Sequence, residues 1–173
     1  MNLELDDAVA MLARTPGTLR AWLAGLPDAW LDANEGPETF SARDMMGHLI
    51  EGERMDWVPR IRMILDHGES RAFEPFDRFA FRGAIGGRTI ESLCEEFEQR
   101  RRDNLTWLRR LSLTPEDFAR RGRHPAFGAV TLELLSTWTV HDLNHIGQIA
   151  RVMSKNYSTA VGPWREYLGI LSR

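Results

Sequence analysis

The sequence predicts an all-α fold, a four-helix bundle with long inter-helix connections and a short C-terminal helix. Three observations predict it. Apolar residues recur at helical spacing over four long segments, strand-type alternation is absent, and the connections between segments are unequal, with no internal repeat. At 173 residues, with 43% hydrophobic and 27% charged side chains, the chain suffices for one domain with a sizeable core, assigned here to residues 1–173.

The first segment places Leu5, Val9, Leu12, Leu19, Trp22 and Leu23 at helical spacing. It predicts a helix over about 3–25, kinked where Thr15 caps and Pro16 opens a renewed first turn. Leu26-Pro27 and Asn34-Glu35-Gly36-Pro37 read as loop. Ser41 followed by Asp44 resembles a capping box with the shorter acid, so a second helix runs from Ala42 to about Asp66. Pro59 should kink it, because proline cannot donate to the carbonyl of Met55. His67 closes it as a C-terminal cap, where the helix dipole favours an imidazolium.

From His67 to Gly87 the chain reads as a loop containing Phe73, Phe76, Phe79 and Phe81. So long and aromatic a connection should cover something, either as the wall or lid of a pocket or as packing that closes one end of the core. Thr89 caps a third helix over about 90–111, with Ile90, Leu93, Cys94, Phe97, Leu105 and Leu108 facing inward. Arg100-Arg101-Arg102 and Arg109-Arg110 alternate with Glu95, Glu96, Glu98 and Asp103, which predicts a solvated, salt-bridged outer face. Leu113–Glu116 starts a short turn, and Gly122–Gly128, with His124-Pro125, is a loop. Thr131 is the expected cap of a fourth helix reaching about Ser154, and a last short helix carries Trp164, Tyr167, Leu168 and Leu171.

Composition narrows the function. A net charge of −3 from 22 basic and 25 acidic residues argues against a dedicated nucleic-acid binder. Cys94 is the single cysteine, which excludes an intramolecular disulfide and a cysteine-rich zinc site and suits a reducing compartment. The acidic start Met-Asn-Leu-Glu-Leu-Asp-Asp does not resemble a secretory signal, and no stretch approaches the ~20 apolar residues that span a bilayer. A cytoplasmic protein without membrane contact is therefore expected.

The fourth helix carries the chemistry. It is apolar on two faces, one through Leu132, Leu135, Thr139, Leu143, Ile146, Ala150 and Met153, the other through Leu134, Trp138, His141, His145, Gln148 and Val152. Such a helix needs cover on both, from the bundle and from a loop or another subunit. His141 and His145 stand one turn apart, a spacing at which two imidazoles can reach one metal ion. Asp142 replaces the glutamate of the metalloprotease motif, which excludes that reaction. His48 lies on a stripe with Met45, Gly52, Met55, Pro59 and Met63 that should face the interior. Three histidines from two facing helices make a catalytic type of site, with a fourth position open. Two hydrogen-bonded core histidines and a satisfied third are the competing reading, but leaving all three unpaired costs several kcal/mol at ~1–3 for each buried group.

The sequence here resembles the DinB-like or YfiT-like proteins, which are metal-binding four-helix bundles. Thr15-Pro16, the run Gly47-His48-Leu49-Ile50-Glu51-Gly52-Glu53-Arg54, and His124-Pro125 with Gly128 carry the resemblance. Trp138, His141-Asp142-Leu143-Asn144-His145-Ile146, Gln148-Ile149, Trp164 and Tyr167-Leu168 continue it over nearly the whole chain. The resemblance implies a divalent metal, zinc or nickel, held by His48, His141 and His145, often in a homodimer. Some relatives place a glutamate at the position of His141. Characterised relatives include thiol-dependent transferases and isomerases that use bacillithiol or mycothiol.

A metal with an open position would make a nucleophile of a low-molecular-weight thiol or of water at neutral pH, to attack a small-molecule electrophile. The alternative is a non-catalytic metal- or ligand-binding stress-response protein. Glu51 lies one turn from His48, about 60° round the helix. It is the candidate to orient that ring or an incoming water, or else an ordinary glutamate paired with Arg54 or Arg62. Arg54 could serve a substrate carboxylate, with Glu53 further round. Asp142 and Asn144 flank the ligand face and should contact a neighbouring helix or subunit, and His124 belongs to a surface loop.

Overall fold

The computed structural model describes residues 5–172. Positions 3 and 4 of the expected first helix lie outside them. The rest of that helix divides into α1 (Leu5–Leu12) and α2 (Thr15–Leu23). Thr15 is not the cap. Arg14 occupies that position with helical backbone angles and makes no side-chain bond to the helix, while Thr15 is buried as the first helical residue and Pro16 follows it. Because the backbone barely leaves helical geometry there, no hydroxyl cap is required. A short helix, α3 (Asp28–Leu31), forms inside the expected loop, and Arg43 holds it through Asp28 and Asp32 at 2.7 and 2.6 Å.

The second helix begins as read. The Ser41 hydroxyl accepts the Asp44 N–H, and the Asp44 carboxylate accepts the Ser41 N–H, opening α4 (Ala42–Met55). The break does not fall at Pro59. The chain turns at Asp56 and restarts as α5 (Trp57–His67), which puts Pro59 in a first turn whose N–H groups have no intrahelical partner. The missing donor therefore costs nothing. The long aromatic connection contains α6 (Arg82–Ile85), and α7 (Ile90–Arg110) follows with Thr89 accepting the Ser92 N–H.

After α8 (Pro115–Ala119), two three-residue strands, β1 (Gly122–His124) and β2 (Gly128–Val130), pair antiparallel where a loop was expected. Strands this short leave no alternation to read. Gly128, at φ +76°, supplies the left-handed residue of the turn. The last long helix, α9 (Leu134–Lys155), starts three residues after the predicted cap, because the Thr131 hydroxyl caps a local turn by accepting the Glu133 N–H. The expected C-terminal helix is a pair of 3-10 turns, Gly162–Tyr167 and Gly169–Leu171, with Leu171 buried and Trp164 and Tyr167 exposed. No helix among the described residues is long and apolar enough to cross a membrane.

The α1–α2, α4–α5, α7 and α9 segments form the bundle. α4 packs along α7 and α9, α2 along α7, and α1 along α9. Two apolar clusters fill it. One gathers around Leu49, Phe81, Phe97 and Ile149, the other around Trp57, Ile61, Leu105 and Trp138. On three helices a buried charged residue stands between the members of the two clusters: Glu53 on α4, Arg101 on α7 and Asp142 on α9. Gly47 lets α4 approach the long connection, since a Cβ there would lie 2.6 Å from Phe81 Cδ2 and 2.7 Å from Ile85 Cγ2. Gly47→Ala should gain about 1 kcal/mol in helix propensity and lose about 1–3 to overpacking. A lowered melting temperature in a thermal scan is the expected net result.

Candidate metal centre

α4 presents His48 and α9 presents His141 and His145 to one point. His48 Nε2 lies 3.2 Å from His141 Nε2, which lies 3.0 Å from His145 Nε2. The three residues offer ligand atoms all within 4.8 Å of one another, with His48 and His145 buried and His141 half-buried. The stripe that buries them differs from the expected one. Leu135, Trp138, Asp142, His145, Ile149 and Val152 form a single inward row, while Leu143 and Val140 are exposed. An aspartate in that row disguised it in the sequence.

Hydrogen bonds alone leave one proton of this cluster shared between two acceptors. Gln148 Oε1 lies 2.8 Å from His145 Nδ1, so that nitrogen carries the proton and His145 Nε2 offers a lone pair. His141 Nε2 must then donate to it. The same N–H faces His48 Nε2, which is left as an acceptor, and the Nδ1 atoms of His48 and His141 are buried without a well-formed hydrogen bond, although the Arg78 backbone is close enough to act on the His48 ring. Turning all three Nε2 lone pairs on one cation removes that sharing of a single proton, so the donor set fits a divalent metal.

Burial keeps the rings neutral, as metal ligands must be. It pushes His48 down to about 4 and His141 to about 2, with the neighbouring histidines adding repulsion, and it lowers His145 as well. Aromatic rings enclose the point. Phe40, Phe76 and Phe81 stand 5.5, 5.7 and 6.3 Å from the His48 ring, and Trp57 stands 4.9 Å from His141. The aromatic connection is thus a wall at Phe76 and Phe81 and core packing at Phe73.

Glu51 does not orient His48. Its carboxylate is bound by Arg54 at 2.8 and 3.1 Å and makes no hydrogen bond to His48. The orienting group is Gln148, one turn beyond His145 on the same helix. Arg101, expected on a solvated face, is 1% exposed and holds both other helices of the site. It donates to Glu53 Oε1 at 2.8 and 3.0 Å, to both Asp142 oxygens at 2.6 and 3.1 Å, and to the Leu12 carbonyl. Trp138 Nε1 and Asn104 Nδ2 complete Glu53, each at 3.0 Å. The neighbouring Arg100 and Arg102 pair outward with Glu96 and Glu98 as expected. Asp142 contacts a neighbouring helix, also as expected, whereas His67 and His124 lie outside the cluster.

The family model for the DinB superfamily matches residues 11–149. The chain belongs to the DinB superfamily. Among solved structures, this DinB-superfamily chain is similar to YfiT from Bacillus subtilis, described as a probable metal-dependent hydrolase with an unusual four-helix bundle topology. The TM-score is 0.75 at 20% identity, over 89% of this chain and 90% of that one. A comparison with curated proteins finds no match.

Two predictions follow from the geometry of this DinB-superfamily centre. Gln148→Leu removes the acceptor that fixes His145, and metal affinity should fall about 10–100-fold, measured by competition with a chromophoric chelator. The second concerns pH. Imidazoles depressed in the fold regain an ordinary value near 6.5 when unfolded, so the unfolded chain binds more protons below that pH. The stability these rings contribute is therefore complete above pH ~6.5 and is lost as pH falls toward the folded values. Metal-free wild type should lose urea resistance between pH 7 and 5 more steeply than a His48→Gln/His141→Gln variant.

Proposed function

We propose that this protein is a metal-dependent enzyme, in the first instance a hydrolase, whose ligands are His48, His141 and His145. The observation that carries the reading is the buried convergence of three Nε2 atoms, with one N–H shared between two acceptors. His48, His141 and His145 would hold a divalent cation, which would supply the Lewis acidity that favours the anion of water or a thiol at neutral pH. The chain's own residues do the rest. Gln148 holds the His145 proton on Nδ1 and so keeps Nε2 free to bind. Phe40, Phe76, Phe81 and Trp57 limit water around the rings, which strengthens every electrostatic interaction there. Arg101 fixes α9 against α4 through Asp142 and Glu53, setting the height at which the two helices present their histidines.

The likeness to YfiT, with its hydrolase description, supports water as the nucleophile. A thiol S-transferase using a low-molecular-weight thiol follows from the same open position and is the second arm of the test. Homodimer formation belongs to the same proposal, supported by the exposed Val140 and Leu143 on α9, and sedimentation should show twice the chain mass. Protein purified without a nickel column and loaded with zinc or nickel should be screened against activated esters and amides in water. A parallel screen offers bacillithiol, mycothiol or glutathione with an electrophile. Turnover that disappears in His145→Ala supports the proposal. Stoichiometric metal with no turnover in either screen contradicts it and favours a non-catalytic binding protein.

A further inference from the structure

Resting on the metal-dependent reading above, the charges around the centre point to the class of its substrate. Arg54, the arginine expected to serve a substrate carboxylate, is committed to Glu51. Arg101 is committed to Glu53 and Asp142. Arg78 is free. Its exposed guanidinium forms no ion pair among the described residues and stands instead over two aromatic rings, 5.2 Å from the centre of Phe40 and 4.7 Å from that of Phe79. Phe40 meets Phe79 edge-on at 5.6 Å, and its ring lies 5.5 Å from that of His48. The cation is therefore held on the aromatic wall of the metal centre by cation–π contacts, with its donors open to solvent.

Its field reaches the ligands. Apart from the histidines themselves, the charged residues whose fields shift the three rings are Arg78, Arg101 and Asp142, and Arg78 acts on both His48 and His145. Arg101 and Asp142 offset one another as a bonded pair at 2.6 Å. Arg78 is left as an unbalanced positive charge. The acid beside it in sequence, Asp77, accepts the Phe79 N–H at 2.9 Å, and Glu51 belongs to Arg54. Arg82 also stands over Phe79, at 4.4 Å, but is not among the charges that shift the rings.

A guanidinium offers a planar fork of donors and no acceptor, so it repels an amine and bonds a carboxylate about twice as strongly as a neutral group. One free cation matches one negative charge. We propose that the substrate of this centre carries a carboxylate, which Arg78 receives in front of Phe40 and Phe79 while the reacting bond lies at His48, His141 and His145. Arg78 is then a substrate-binding residue that sets specificity by charge.

Titration of the whole metal-free protein with benzoate, and separately with benzyl alcohol, tests this by NMR at low salt. The two probes share a ring and differ in the carboxylate. Benzoate should bind about tenfold more tightly and move the Arg78 Nε–H signal. Arg78→Gln, at an exposed position that leaves the core intact, should bring benzoate to the level of the alcohol. Arg78→Lys should restore part of the preference, as a point charge without the fork. Phenyl phosphate should gain only severalfold over benzoate, and a larger gain would reveal a second cation and overturn the assignment to a carboxylate. Equal binding of benzoate and benzyl alcohol overturns the proposal, as does a preference that survives in Arg78→Gln. His145→Ala should keep the preference, so the two readings fail separately: a benzoate preference without turnover in the screens above sinks the metal-dependent enzyme alone, and turnover without the preference sinks the carboxylate site alone.

Discussion

Arg101→Met is expected to remove about 3–5 kcal/mol of folding stability, the usual cost of stripping one partner from a buried charge network. The side chain is 1% exposed and is the shared donor of Glu53 and Asp142, both buried. Methionine fills the space, so the loss reports the stranded carboxylates and not a cavity. Against a total of about 5–15 kcal/mol for an ordinary domain the change is large. At about 2–4 °C per kcal/mol for a chain of this size, the melting temperature should fall by on the order of 10 °C.

The pH dependence gives the variant a signature of its own. Burial already pushes the Glu53 carboxyl up, and Arg101 is the main force holding it down. Without Arg101 the folded state binds protons that the unfolded chain releases above about pH 4. The variant should therefore lose less stability than wild type as pH falls from 7 toward 5, narrowing the gap between them. A gap that stays constant across that range would show that the carboxylates are not the origin of the loss.

How this network escaped the sequence is instructive. Arg101 sits inside an Arg-Arg-Arg run, and Arg100 and Arg102 do pair with glutamates on the outer face. Local pattern cannot tell which member of such a run turns inward. That depends on Glu53 and Asp142, which are distant in sequence and are brought together only by packing. The same limit explains Pro59. Its chemistry was legible, but the turn at Asp56, which puts the proline in a first turn, is set by how α4 and α5 meet the bundle. Features carried by neighbours in the chain were legible. The Ser41–Asp44 capping box and the inward stripe of α7 formed as read. The His141/His145 pair was visible from helical spacing, and His48 from its neighbours Met45 and Gly52, which are buried. Met55, expected on the same inward stripe, is 50% exposed, where the helix ends and the chain turns at Asp56. Gln148 was visible as a member of the histidine face, yet its hydrogen bond to His145 depends on a rotamer that spacing does not specify.

His145→Ala is expected to abolish stoichiometric metal binding. Removing a group that merely orients a ligand typically costs 10–100-fold in affinity, so removing the ligand itself should cost at least about 100-fold. The loss should come without general unfolding. His145 is neutral at neutral pH and its ring contacts are confined to Gln148 and the other two histidines, so its truncation leaves the two apolar clusters of the bundle in place. Elemental analysis of wild type and variant, both purified without a nickel column, should give about one divalent ion per chain for the first and a small fraction for the second. A variant that keeps its metal would move the binding site elsewhere.

The claim on which the mechanism depends is that His48, from one helix, shares a cation with the pair from another. X-ray absorption of zinc-loaded protein addresses it directly. The account predicts three imidazole nitrogens at about 2.0–2.1 Å with one further light atom, falling to two imidazoles or to no bound zinc in His48→Ala. An identical three-imidazole spectrum from that variant would contradict it.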